Sequence, residues 1–557
     1  MTFYSKYSLF KTILFLVGFI SLLSCQKEKN QADLILKNAK IYTADSSFST
    51  AEAVAIKDGK IIAVGTNQEI QQDFEAKKEE DFTGKFIFPG FYDAHCHFYR
   101  LGQTLSWVDL VGATSYDEII TRVEKFAKEK PELSKDWILG RGWDQNDWEI
   151  KEFPTKEKLD ALFPDKPIML TRVDGHAVLV NQKALDLAGI TAETVVDGGK
   201  VILVNGKPTG ILIDRAIELL EKAIPEPSDK AIEQMLLEAQ KVCFEKGLTN
   251  VVDAGLPRRI IDKIEEMQES GKLKMQVYAM IDPVDKDYYL NEKGTYETDK
   301  LNVRSFKVYA DGALGSRGAA LIQPYSDDSH NHGLVLTSVE EMEQLFRNAY
   351  DKGFQVNTHC IGDSANRLIL DLYGKVLKGK NDRRWRIEHS QVVSKEDLDK
   401  YGEFSIIPSV QPTHATSDMY WAGDRLGEER VKTAYAYKDL LAQNGLLAFG
   451  SDFPVEAVNP IFGFHSAVAR TDAKNYPEGG FQMENSVSRE TALKAMTIWA
   501  AYSSFEEKER GSIEVGKQAN FTILQQNILE MDEKKMRDVN VEAVYVNGEK
   551  VYEMVKR

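Results

Sequence analysis

From residue 233 to residue 455 the chain alternates between two hydrophobic rhythms. Apolar residues three and four apart, the period of a helix, fill segments such as 235–246, which stops at Gly247, a residue suited to ending a helix. Another follows Ser338, where Ser338 and Glu341 predict a capping box ahead of Gln355. Between the helical segments lie near-continuous apolar runs: LTNVVDAG from Leu248, MQVYAMI (275–281), RSFKVYADG (304–312), QVNTHCIGD (355–363), RWRIEHSQ (384–391), SIIPSVQP (405–412) and LLAFGSDFPV (446–455). Such runs predict strands buried on both faces, as in a parallel sheet covered by helices. An earlier run, FIFPGFYDAHCHF over 86–98, brings the count to eight. Eight strands separated by helices predict an α/β fold, the (β/α)₈ TIM barrel.

At both ends of the chain the rhythm shortens to that of small β-strands. ADLILKNAKIYTA, AEAVAIKDGKIIAVG and KFIFPG lie at one end, with Lys57-Asp58-Gly59-Lys60 as a hairpin turn. Residues 519–524 and 541–552, the latter broken at Asn547-Gly548, lie at the other. These predict one small β-sandwich assembled from residues 33–85 and 506–557, with the barrel over 86–505. A large insert after barrel strand one, about 100–232, carries its own pattern. Ser115 and Glu118 predict a capped helix with Ile119, Ile120, Val123 and Phe126 on one face. WILGRGWDQNDW (137–148) and PIMLTRVDGHAVLVN (167–181) read as buried strands that end in polar loops, and 195–213 reads as a hairpin.

The first 25 residues follow a different logic. Lys6 and Lys11 precede an apolar run over 12–23, then Ser24 and Cys25, the layout of a secretory signal. Leu22-Leu23-Ser24-Cys25 resembles a bacterial lipobox, which makes Cys25 the lipidated first residue and 26–32 a tether. The expectation is a body held at a membrane of the cell envelope, outside the cytoplasm. An uncleaved N-terminal anchor is the alternative. The net charge of −16 argues against nucleic acid as a partner. Beyond Cys25 only Cys96, Cys243 and Cys360 remain, an odd number that reads as three buried free thiols.

The strand count turns scattered polar residues into a site, because catalytic groups in this fold sit at the C-terminal ends of the strands. Strand one ends in His95 and His97, two residues apart and so on one side. Strand four offers Lys307, strand five His359, strand six His389 and strand eight Asp452. Imidazoles and a carboxylate converging on one rim predict a divalent metal site, zinc first, with iron, manganese or nickel as alternatives.

At PGFYDAHCH, FKVYADGALGSRGA, NTHCIGD, RIEHSQ and FGSDFPV the chain resembles the amidohydrolase superfamily. The nearest resemblance is to the amidohydrolase 3 group of exoenzyme-like and N-substituted formamide deformylase-like proteins. The resemblance covers nearly all of 33–555. It implies one or two divalent ions, with His95 and His97 on the more buried and His359 and His389 on the more exposed. Lys307 matches a lysine that is carboxylated and bridges the ions in binuclear members; an ion pair with Asp311 is the competing reading. Asp452 is implied as ligand and proton shuttle, its competing reading being a helix cap. A bound divalent ion brings the pKa of its water towards about 7. The implied reaction is hydrolysis of a non-peptide carbon–nitrogen bond in a small amide or formamide. A cyclic amidase, a deaminase, an esterase or a non-catalytic ligand-binding lipoprotein remains open, and many relatives are homodimers. His176, Trp143, Asp311, Arg317 and Gln411, with His414 beyond them, are candidates for substrate contact; each is equally readable as loop architecture.

Overall fold

The computed structural model describes residues 29–145, 148–172, 175, 177–196 and 199–555. Cys25 and His176 lie outside them. Eight strands form one parallel, nearly closed barrel in chain order: β1 (Phe91–Cys96), β2 (Leu248–Leu256), β3 (Gln276–Ile281), β4 (Leu301–Tyr309), β5 (Gln355–Cys360), β6 (Arg386–His389), β7 (Ile407–Val410) and β8 (Ala448–Phe449). The ends of this path meet just past β8, where Asp452 N–H donates to His95 O at 2.8 Å and His97 N–H to Phe453 O at 2.8 Å. That junction requires Gly450, since a Cβ there falls 2.5 Å from the His95 nitrogen.

Alternation along the strands sorts the barrel residues. Val251, Val277, Val303, Phe306, Val356 and Ile387 face outward into the helical layer, which includes Asp229–Glu245 and Val339–Lys352. Tyr92, Ala94, Val252, Tyr278, Met280 and Ala448 fill the inside. The barrel is therefore solid below its upper rim. Ser338 and Glu341 form the reciprocal capping box that the sequence predicts.

Residues 86–98 are two strands rather than one. Phe86–Pro89 leaves the barrel to pair with Lys40–Tyr42 and, antiparallel, with Phe521–Leu524. A six-stranded sheet so joins both chain ends, and it packs against a four-stranded sheet through Leu36, Ile41, Ile56, Ile87, Phe521 and Ile523. The fourth strand of the smaller sheet, Phe74–Asp81, is parallel to Asn30–Lys37. In the insert, 167–181 is a pair of antiparallel strands, Ile168–Arg172 and Ala177–Val180, within a six-stranded sheet. Ser115 caps the helix Tyr116–Glu129, but Glu118 reaches back to Thr114 and not to the cap residue. Cys96, Cys243 and Cys360 are buried free thiols. Among the described residues no helix is long and apolar enough to cross a membrane.

Candidate metal centre

Three local devices aim side chains at the upper rim. In β5 simple alternation suffices, and His359 falls on the inward parity; in β4 one extra residue between the Val303–Ala279 and Ser305–Met280 pairings resets the parity, so that Lys307 faces in. In β1 alternation alone would turn Cys96 inward, after Tyr92 and Ala94. One extra residue lies between the Asp93–Val251 and Cys96–Asp253 pairings. This bulge resets the parity, so Cys96 joins the outer core while His95 and His97 face the site. In β6, Arg386 and Glu388 hold the inward positions and His389 comes next. Its φ of 74° turns the chain into the left-handed region and redirects the ring. Asp452, at φ 62°, does the same. Backbone strain of about 1–3 kcal/mol per such residue is typical of functional positions.

The ligand-type atoms gather into two sets. Those of His95, His97 and Asp452 lie within 4.8 Å of one another, and so do those of His389, His414 and Asp452. Asp452 Oδ1 is 3.2 Å from His97 Nε2 and 3.7 Å from His95 Nε2. His359 belongs to neither set. Its ring packs 4.4 Å from that of His389, and its Nε2 is 3.7 Å from Asp311 Oδ1. Lys307 Nζ is 3.1 Å from His95 Nε2, is buried, and forms no ion pair with a carboxylate among the described residues.

Two of the residues behind the ligands, Glu388 and Arg386, are ones the sequence reading passed over, and a third, Gln411, was read only as a possible substrate contact. His95 Nδ1 is hydrogen-bonded to Glu388 Oε2. Arg386 grips the same carboxylate through Nε at 2.7 Å and Nη2 at 3.0 Å, and Nη2 also donates to Ser409 Oγ at 2.8 Å. Glu388 and Arg386 are both fully buried. The signal was present in RIEH: an Arg and a Glu two apart inside an apolar strand must share its inner face. Gln411 Oε1 accepts from His389 Nδ1 at 2.7 Å. Asp253, also unanticipated, accepts the Tyr99 N–H and anchors the helix that begins after His97.

Electrostatics suit cation binding. Burial, and next to it Lys307, lowers His95 to about 4 and His359 to about 3, so both rings are neutral near pH 7 and have a lone pair to donate. Burial brings Lys307 down to about 8. Asp452 stays ionised: burial pushes its carboxyl up, but His97 and the neighbouring imidazoles hold it well below the usual range. Asp452 Oδ1 and the Nε2 atoms of His359, His414 and Gln411 are buried without a hydrogen bond. Buried polar atoms without partners are rare. Neutral imidazoles around an ionised carboxylate, with ligand atoms left over, fit a divalent metal.

Three candidates for substrate contact prove to be architecture. Trp143 is fully buried in the insert core and donates to Leu170 O at 2.7 Å, so it cannot wall a pocket. Asp311 is equally buried; it accepts N–H bonds from Ile361, Gly362 and Ala320, which also rules out its pairing with Lys307. Arg317 forms a two-pronged bond to Asp327, which Arg425 shares, and so ties the loop after β4 to the segment after β7. A cleft of about 390 Å³ opens beside Lys307 and Tyr309, with Asp282, Lys286 and Glu341 on its wall.

The chain as a whole is similar to known proteins. The amidohydrolase family model matches residues 78–552. The chain is 34% identical over 528 residues to the putative amidohydrolase YtcJ of Bacillus subtilis, covering 92% of this chain and 98% of that protein. It is 27% identical over 550 residues to the N-substituted formamide deformylase of Arthrobacter pascens, covering 94% and 98%. The crystal structure of an uncharacterized metal-dependent hydrolase from Pyrococcus furiosus superposes with a TM-score of 0.76 at 30% identity, covering 89% of this chain and all of that one. A family match over most of the chain, on a barrel whose rim gathers histidines and an aspartate, has one reading: the chain belongs to the amidohydrolase family and is a metal-dependent hydrolase.

Proposed function

We propose that this protein hydrolyses a non-peptide carbon–nitrogen bond in a small amide or formamide, with zinc as its metal. The observation that carries the reading is the convergence of His95, His97 and Asp452 ligand atoms within 4.8 Å at the barrel rim. The likeness to a formamide deformylase over 94% of the chain supports the choice of bond. A divalent ion in this site supplies Lewis acidity, polarising a carbonyl and easing the ionisation of water.

The chain's own residues do the rest. His95 and His97 would hold the ion through Nε2, the nitrogen that His95 turns towards the site when Glu388 engages its Nδ1. Asp452, ionised in its ring of imidazoles, takes the proton lost by the attacking water and returns it to the departing nitrogen. Such general acid–base assistance is worth roughly 10²–10⁴-fold. Lys307, its pKa lowered to about 8 by burial, would be partly neutral near that pH, and carbon dioxide adding to its Nζ with loss of one proton would give a carbamate beside His95 that could serve as a ligand.

Replacing Asp452 by Asn and screening N-formyl and N-acyl amines tests the assignment. Turnover should fall by about 10²–10⁴ at equal metal content. Undiminished turnover would remove Asp452 from the mechanism.

A further inference from the structure

Strand β4 runs on past one of its neighbours. Its pairing with β3 ends at Ile281–Phe306, whereas its pairing with β5 continues to Tyr309–His359. Among the described residues no strand therefore flanks 307–309 on the β3 side, and the barrel wall has a notch there. Outside the notch the helical layer is thin as well, because the helical segments between β3 and β4 are only Pro283–Asp285, Lys286–Tyr288 and Tyr289–Lys293. The cleft of about 390 Å³ occupies this gap, so Val308 from the outer face of β4 lines it together with Lys307 and Tyr309. Those two residues join it to the metal centre: Lys307 Nζ is 3.1 Å from His95 Nε2, and the Tyr309 ring lies 5.5 Å from that of His359. Burial sorts the walls. Leu290, Val308, Met342 and Leu345 are buried and make an apolar floor, while Lys286, Asp287 and Glu341 are exposed and make a charged lip. Val284, 77% exposed, also lines the cleft, and Leu336, 58% exposed, is held beside Tyr309 by bonds from its own N–H to Ala310 O and from Thr337 Oγ1 to Tyr309 O. Exposed apolar side chains gathered at one opening are a mark of ligand-binding grooves.

We infer that this side cleft is the specificity pocket, and that it takes an uncharged alkyl substituent on the nitrogen of the substrate while the scissile carbonyl stays at the metal centre. This rests on the amide-hydrolase reading above and narrows it. The volume falls in the range of small-molecule pockets, roughly 300–1,000 Å³. An alkyl chain laid over Leu290, Val308, Met342 and Leu345 leaves water for an apolar surface, which is favourable. A charged group entering the same floor would lose its hydration without gaining a partner. The charged lip stays in water and lets the chain pass. N-alkyl amides are therefore the good substrates and unsubstituted ones the poor.

Full-length, metal-loaded protein assayed on N-methyl-, N-butyl- and N-hexylformamide tests this, and calorimetry with the matching N-alkylureas reads binding apart from turnover. Both kcat/KM and affinity should rise about fourfold for each CH₂ that reaches the floor. Val284→Asp puts a charge at the opening, and Leu290→Phe narrows the floor. Each should leave N-methylformamide turnover unchanged and lower the hexyl-to-methyl ratio by about tenfold, equivalent to one to two CH₂ groups. Val284 is exposed, so its replacement spares the core if Leu290→Phe fails to fold, and thermal unfolding checks both. Equal kcat/KM along the series, or an unchanged ratio in the folded variants, overturns the pocket while leaving the hydrolase reading intact. No formamide turnover, with a chain-length gradient in urea binding that the variants abolish, overturns the choice of bond and keeps the pocket. Neither turnover nor gradient overturns both.

Discussion

Glu388→Gln is the sharpest probe of how the site is held. The carboxylate is fully buried, with Arg386 on one side at 2.7 and 3.0 Å and His95 Nδ1 on the other. Burial alone would raise its pKa, but Arg386 and then His95 hold it down at about 2, so it is charged throughout the assayable range. The amide keeps one acceptor oxygen and puts an NH₂ against either Arg386 or His95, both of which need an acceptor. Breaking a buried ion pair from one side costs about 3–5 kcal/mol. Arg386 retains Ala94 O at 2.5 Å and Ser409 Oγ at 2.8 Å, which places the loss near the low end, about 3 kcal/mol. The freed His95 ring can rotate and change tautomer, and zinc affinity should fall by about 10–100-fold, or about 1.4–2.7 kcal/mol. Urea unfolding of the metal-free protein measures the first quantity, and chelator competition measures the second. Wild-type zinc affinity in a folded Glu388→Gln protein would refute the argument that Glu388 orients His95.

Two further outcomes follow from the buried charges. Lys307 is charged below about pH 8 and neutral above it, because burial lowers it from 10.5. The unfolded chain therefore holds more protons at this position between those values, and unfolding free energy should rise with pH across that window. Uptake of ¹³C-labelled bicarbonate as a carbamate should grow over the same range and vanish in Lys307→Met. A carbamate carbon signal of equal strength in that variant would exclude Lys307 as its source. Asp311→Asn turns an NH₂ towards backbone N–H groups that need an acceptor, and should cost about 1–3 kcal/mol in urea unfolding. A change within about 0.5 kcal/mol would show that the three backbone bonds are dispensable.

The barrel was legible because its strands are buried on both faces, so near-continuous apolar runs mark them whatever their register. All eight overlap the runs read from the sequence, although β4 begins at Leu301, three residues ahead of its run, and β2 reaches Leu256, one residue past its own. The strand Phe74–Asp81, FEAKKEED, escaped because it lies at the edge of its sheet and is mostly charged. The turn of chain between Phe86–Pro89 and Phe91–Cys96 was hidden since both halves are equally apolar. At the site, residue types gave the strand-end candidates, but orientation depended on backbone irregularities. A one-residue bulge turns His95 and His97 inward, and a left-handed residue redirects His389. Gln411 and His414 were placed after β7 by the sequence as possible substrate contacts; in the structure Gln411 backs His389 and His414 lies with the ligand-type atoms, roles that residue type alone does not separate. Trp143 and Asp311 misled for a shared reason: aromatic and carboxylate side chains at strand ends and in the loops after them signal pockets and packed cores alike, and only burial separates the two.

The most direct test of the central claim is turnover of N-formyl and N-acyl amines by the purified protein before chelation, after chelation and after zinc is restored. Turnover that disappears with the metal and returns with it is the predicted result. Hydrolysis that continues at the same rate in fully stripped protein would contradict the account.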